Sequence, residues 1–168
     1  MTPDMNVGFL SSKIAIVGAA ASGKDLLRRR FQDQGFTYGI SCTTRKPRPG
    51  EKNGRDYYFI TDEQFQDFVD NDQMVEWQEF NGWKYGLTKS EWQKCDLMIL
   101  NAEAVNLLPQ EYRDRLFVFY IDIPEAIRRE RLEARNDKDD SIDRRIAADE
   151  EQFINFSNFD CKIINDKF

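Results

Sequence analysis

Two stretches of this sequence carry the residue types that phosphate chemistry needs. The first is Gly18-Ala19-Ala20-Ala21-Ser22-Gly23-Lys24-Asp25. It fits G-x-x-x-x-G-K, with Asp25 where a Ser or Thr usually follows. Small residues let backbone N–H groups close around phosphate oxygens, and a following helix aims its positive end at them. Lys24 then adds a full charge to the terminal phosphates. The run lies between the apolar segment Ile14 to Val17 and a helical pattern that starts at Lys24, which is the context this chemistry requires.

The second stretch runs from Ser41 to Tyr57 and is rich in Arg, Pro and Gly. Arg45 and Arg48 in a stiff loop suit a bidentate anion clamp. Glu51 can hold such a clamp by pairing with an arginine, and Thr43, Thr44 and Tyr57 offer hydroxyls. Taken alone, the same residues also suit a solvated basic loop.

Composition narrows the chemistry. The chain has 168 residues, enough for one domain with a real core. It contains no histidine, so a Ser-His triad and a histidine base are excluded and a zinc site is not expected. Three well-separated cysteines, Cys42, Cys95 and Cys161, read as free thiols of a reducing cytoplasm. A formal net charge of −6 argues against a nucleic-acid partner. No apolar run is long enough to span a bilayer, and the first ten residues do not read as a secretory signal.

The elements that must position these residues follow from periodicity. Apolar strands are expected at Ile14 to Val17, Thr37 to Ile40, Leu97 to Leu100, Leu116 to Ile121 and Cys161 to Ile164. Helices are expected over Lys24 to Gln34, from about Glu103, from Pro124 to Arg135, and from Ser141 to about Phe156. This alternation predicts a parallel sheet with helices on both faces and ligands beyond the strand carboxyl ends. The exception lies between about Cys42 and Trp92. There a strand at Tyr57 to Ile60, a helix capped by Thr61, a hairpin turning at Asn81-Gly82 and a short helix at Ser90 to Lys94 predict an antiparallel insert. The charged loop at Asn136 to Asp140 reads as a lid.

The second stretch resembles the acceptor-binding signature of the guanylate kinase family, Ser-x-Thr-Thr-Arg-x-x-Arg-x-Gly-Glu-x-x-Gly-x-Asp-Tyr, and matches it throughout. The resemblance continues through Val75-Glu76-Trp77, Tyr85-Gly86, Arg131 to Arg135 and Ser141 to Arg145, and covers Ile14 to Asp166. It implies a single P-loop nucleoside monophosphate kinase domain. Its core would be 12–41 and 95–168, with a nucleotide-binding insert at about 42–94 and a short helical lid at about 131–145. The implied activity is ATP-dependent phosphorylation of GMP or dGMP, with Mg²⁺ as cofactor and a monomer or homodimer as the working form. Gly18 to Asp25, Arg131 and Asn165 would hold ATP. Ser41, Arg45, Arg48, Glu51, Tyr57, Glu76, Tyr85 and Glu103 would hold the acceptor, with Ser41 and Glu76 on its base. Lys24, Arg45, Arg135 and Arg145 would act on the transferring phosphoryl group.

Three departures from the family pattern stand out. Asp25 replaces the phosphate-loop hydroxyl, and Asn101 stands where the family has a metal-directed aspartate. Asp25 and Asn101 together would then serve the metal. Leu87 stands where the family has a small hydroxyl residue that reads guanine O6, with Thr88 as a neighbouring substitute. Other or modified deoxynucleoside monophosphates are therefore alternative acceptors, and a non-catalytic guanylate-kinase-like binding module is the remaining alternative. The chain also stops before a last helix that the family usually has. Such a trimmed form suits a phage enzyme working in the host cytoplasm.

Overall fold

The computed structural model describes residues 12–135, 141–165 and 167. The lid loop expected at 136–140 lies outside the described residues. Strand β1 (Lys13–Gly18) leads into helix α1 (Lys24–Asp33). The insert holds β2 (Cys42–Thr43), β3 (Tyr58–Phe59), α2 (Asp62–Asp70), β4 (Met74–Phe80), β5 (Trp83–Thr88) and α3 (Lys89–Lys94). The chain then returns through β6 (Leu97–Ile99), α4 (Ala102–Leu107), α5 (Gln110–Arg113), β7 (Leu116–Ile121), α6 (Glu125–Arg135), α7 (Ile142–Phe153) and β8 (Cys161–Ile163).

The first sheet has the order β6-β1-β7-β8 and is parallel throughout. Strand alternation divides its side chains between two cores. Ala15, Val17, Val118 and Tyr120 face one side and pack with Val105, Trp92 and Phe156. Ile16 and Ile121 face the other, with Leu27 and Phe31 of α1 and Ile127 of α6 against them. Helices therefore cover both faces, as the apolar strands require. Tyr120 stacks on Phe153 with ring centroids 5.3 Å apart, which ties α7 to β7.

The second sheet has the order β3-β2-β5-β4. Its hairpin turns at Asn81 (φ 57°) and Gly82 (φ 77°), both in the left-handed region that a two-residue primed turn demands. Thr61 and Gln64 form a reciprocal capping box at the start of α2. Phe65 of α2, fully buried, packs with Cys42 and Met74 under this sheet. One pairing differs from the expected antiparallel insert: β2 and β3 run parallel. The long arginine-rich loop between them acts as a crossover, and only a crossover can join parallel neighbours.

The strand expected at Thr37 to Ile40 shrinks to a single bridge, Tyr38 to Leu97. Gly39 lies so close to β6 that an added Cβ would meet Cys95 Sγ at 2.7 Å. That contact docks the segment on the sheet edge just before the chain leaves for the insert.

Candidate active site

A cleft of about 1120 Å³ opens between the two sheets, beyond the carboxyl ends of β1 and β6. Its lining joins the phosphate loop, the arginine-rich loop, the hairpin, α6 and α7. These segments are far apart in sequence, and the fold alone brings them together.

At one end Gly23, with φ 105°, caps α1 in a conformation open to glycine, and Ala21 also has positive φ. Gly18 has no room for a side chain, because a Cβ would lie 2.9 Å from the Ile121 carbonyl oxygen. Lys24 Nζ donates to the carbonyl oxygens of Gly18 (2.6 Å) and Ala19 (2.9 Å). Burial lowers its pKa, and the carboxylates of Asp149 and Asp25 work against that. Ala20 N–H donates to Asp149 Oδ2 at 2.8 Å. An anion therefore already sits in the loop, and it is a side chain of the protein. Burial raises the pKa of Asp149, opposed by the Ala20 amide, Lys24, Arg128 and Arg145. Arg131 donates to the Ala21 carbonyl oxygen at 3.1 Å, and Arg131, Arg135 and Arg145 all line this end.

At the other end Arg45, only 5% exposed, makes a bidentate pair with Glu51 at 2.9 and 3.0 Å. Tyr57 and Phe59 flank its guanidinium at 5.5 and 5.8 Å. Burial works against its charge, but the Glu51 hydrogen bond and charge outweigh it and raise its pKa. Glu51 also accepts from the backbone N–H of Arg48 at 2.7 Å. One carboxylate thus sets both arginines. Burial pushes the Tyr57 hydroxyl up to about 12, so it stays a donor. Ser41, Arg48 and Tyr85 complete this part of the wall.

Deeper in the insert, Glu76 turns a carboxylate into the cleft. Its Oε2 is buried and has no hydrogen-bond partner among the described residues. Burial pushes its pKa up to about 8, partly offset by the Leu87 backbone N–H. The folded pKa lies above the unfolded one. This group's contribution to stability is therefore complete below about pH 4.5 and is lost as pH rises through about 8. At neutral pH the burial of this acid weakens the folded state.

Several expected residues lie elsewhere. Glu103 is exposed on α4 and does not line the cleft, because α4 starts only at Ala102 and turns that position outward. Asn165 is exposed past β8, away from the cleft, and accepts from Lys167 N–H at 3.0 Å. Ala19 contributes a carbonyl oxygen to Lys24 and does not line the cavity. Thr43 and Thr44 do not line the cleft: the Thr43 hydroxyl donates to the Lys84 carbonyl oxygen and the Thr44 hydroxyl accepts from Lys84 N–H, which splices the loop to β5. Thr88 caps α3 through Glu91 N–H, and Leu87 is fully buried in the core. Conversely, Asp149, Gln152, Arg28, Tyr38 and Gln78 line the cleft. Asp149 and Gln152 lay hidden in the polar pattern of a helix. Gln78 followed Glu76 at strand period, and that spacing was the available signal.

The family model for guanylate kinase matches residues 11–168. The chain belongs to the guanylate kinase family. It is 30% identical over 164 residues to the guanylate kinase of Rubrobacter xylanophilus, covering 92% of this chain and 86% of that one. It is 32% identical over 162 residues to the guanylate kinase of Geobacter metallireducens, covering 91% and 80%. The crystal structure of guanylate kinase from Anaplasma phagocytophilum superposes with a TM-score of 0.67 over 92% of this chain and 77% of that one, at 22% identity. As a guanylate kinase family member the chain is a phosphotransferase with ATP as its substrate. No helix among the described residues is long and apolar enough to cross a membrane.

Breaking the buried Arg45–Glu51 pair tests the clamp. Glu51→Gln keeps the shape and removes the charge, so Arg45 and Arg48 lose their common anchor. The expected result is a fall of about a hundredfold in kcat/KM for the acceptor, carried mostly by KM, read by coupled ADP assay. An unchanged KM would remove Glu51 from the account.

Proposed function

We propose that this protein transfers the γ-phosphoryl group of ATP to GMP or dGMP. The observation that carries this reading is the buried, unpartnered Oε2 of Glu76, set in the same cleft as the Arg45–Glu51 clamp and the phosphate loop. An ionised carboxylate accepts two hydrogen bonds side by side, which suits the N1–H and 2-amino donors of guanine. Ser41 adds a hydroxyl beside it. Arg45, Arg48 and Tyr57 then take the acceptor's monophosphate, while Lys24 and the phosphate-loop amides take ATP. Arg131, Arg135 and Arg145 line the ATP end and neutralise charge that builds on the phosphoryl oxygens in flight. For ATP to enter, its phosphates must displace Asp149 from Ala20 N–H and draw Lys24 off the loop carbonyls. Both exchanges replace an internal contact with one to the ligand.

Among the described residues no cluster of three metal-binding side chains exists. Magnesium carried on nucleotide phosphates needs only one or two protein oxygens. Asp25 fits that role. It lines the cleft at the first turn of α1, its side chain is 67% exposed, and one oxygen lies 3.3 Å from Arg28 Nε. Asn101 fits less well, because its Oδ1 accepts from Ala104 N–H at 2.7 Å and caps α4. Asp25 would therefore hold the ion without Asn101 as a direct ligand. The ion would supply charge neutralisation on the phosphates. Two buried free cysteines fit a cytoplasmic setting. The working form is taken as a monomer or a homodimer.

Two measurements test this reading. Assayed with MgATP against ribo- and deoxynucleoside monophosphates, the protein should release ADP with GMP and dGMP, and a failure on both would overturn the guanine assignment. GMP affinity should also depend on Glu76. Guanine needs the carboxylate, and the free protein holds the acid below about pH 8, so binding releases a proton. GMP should bind about fivefold more tightly at pH 8 than at pH 7 and level off only above about pH 9. A flat profile would contradict a base-bound Glu76.

A further inference from the structure

Leu87 occupies the place where this family reads guanine O6 with a hydroxyl, and its side chain is fully buried and lines no part of the cleft. The hairpin ladder pairs Glu76 with Leu87 and Gln78 with Tyr85. Directly opposed residues share a sheet face, and two steps along a strand return to that face. Glu76, Gln78, Tyr85 and Leu87 therefore project to one side, at different depths. Leu87 packs in the core with Val75 and Ala104. The adjacent hydroxyl, Thr88, caps α3 by accepting from Glu91 N–H and does not line the cleft.

Gln78 is in a different condition. It is 8% exposed, it lines the cleft, and its Oε1 is buried without a hydrogen-bond partner among the described residues. Glu76 Oε2, two residues away on the same strand, is orphaned in the same way. A strand step of two places their backbones about 7 Å apart, so both side chains reach one flat heterocycle. A buried polar group left without a partner weakens the fold. A side chain needed only for packing would be better apolar. Both orphaned atoms are acceptors as they stand; a half-turn of the Gln78 carboxamide puts its nitrogen where Oε1 now lies, so the pair then offers a ligand one acceptor and one donor.

We propose that Gln78 reads the base: its carboxamide Nε2–H donates to the 6-oxo group of guanine while Glu76 accepts from N1–H and the 2-amino group. The hydrogen bond that Leu87 on β5 has no donor to make then comes from β4, and guanine recognition needs no hydroxyl at position 87. The carboxamide turns about its last torsion, so either end can face the ring, and the O6 acceptor selects the nitrogen. This inference rests on the guanine reading above and adds the residue that recognises the 6-position.

The test compares GMP with 6-thio-GMP, which keeps N1–H and the 2-amino group but offers a weakly accepting sulfur. With MgATP saturating, wild type should prefer GMP. Gln78→Met should lower kcat/KM for GMP by about tenfold to a hundredfold and change 6-thio-GMP little, so the preference collapses. Its melting temperature should stay at or above wild type, since an orphaned group is gone. Gln78→Ala serves as a second variant with the same expected collapse. If both substrates lose equally, or GMP loses nothing, Gln78 only packs and the proposal is overturned. If wild type phosphorylates another monophosphate but not GMP, the guanine reading falls and this assignment with it. If wild type uses GMP and the preference survives both substitutions, only the role of Gln78 falls.

Discussion

Two polyanions must be brought together in one cleft, and the positive charge that allows it must be in place before either arrives. Unpaired buried cations are costly. The protein meets this constraint with two internal anions. Glu51 occupies Arg45 and the Arg48 amide at the acceptor end, and Asp149 occupies the Ala20 amide at the ATP end. Each carboxylate keeps cationic or N–H groups fixed. Glu51 holds Arg48 by the backbone and leaves that side chain in the cleft wall. Asp149 must instead yield its amide.

The deep end of the insert follows the opposite logic. There Glu76 Oε2 and Gln78 Oε1 lie buried with no hydrogen-bond partner among the described residues. Glu76 is held as a buried acid, and Gln78 keeps an orphaned oxygen beside it. Both weaken the empty protein. Both are tolerated because the parallel core supplies stability independently, through the apolar faces of β1 and β7 and the aromatic stack on α7.

The parallel core was legible because its strands are fully apolar and its helices begin and end on clear signals, such as Pro124 and Ser141. The clamp was legible because Arg45, Arg48, Glu51 and Tyr57 lie in one continuous loop. What the sequence concealed were contacts across long separations. Asp149 meets Ala20 from the far side of the chain, and nothing in the charge pattern of α7 marks it. Glu103 was misplaced because its distance from β6 by sequence says little about which way a short helix turns it. Thr43 and Thr44 looked like ligand donors, yet they lie outside the cleft wall and tie the loop to the backbone of Lys84. The apparent gap at Leu87 was visible from sequence, but the candidate that fills it emerged only from burial and strand register.

The central claim is that both nucleotides sit at once, end to end, in a single cleft with their phosphates between Lys24 and Arg45. Titration calorimetry with adenosine and guanosine joined 5′ to 5′ through five phosphates tests it most directly. One molecule of this compound should bind per chain, far more tightly than ATP or GMP alone, and should be displaced by either. Affinity no better than that of ATP, or competition with only one of the two nucleotides, would contradict the account.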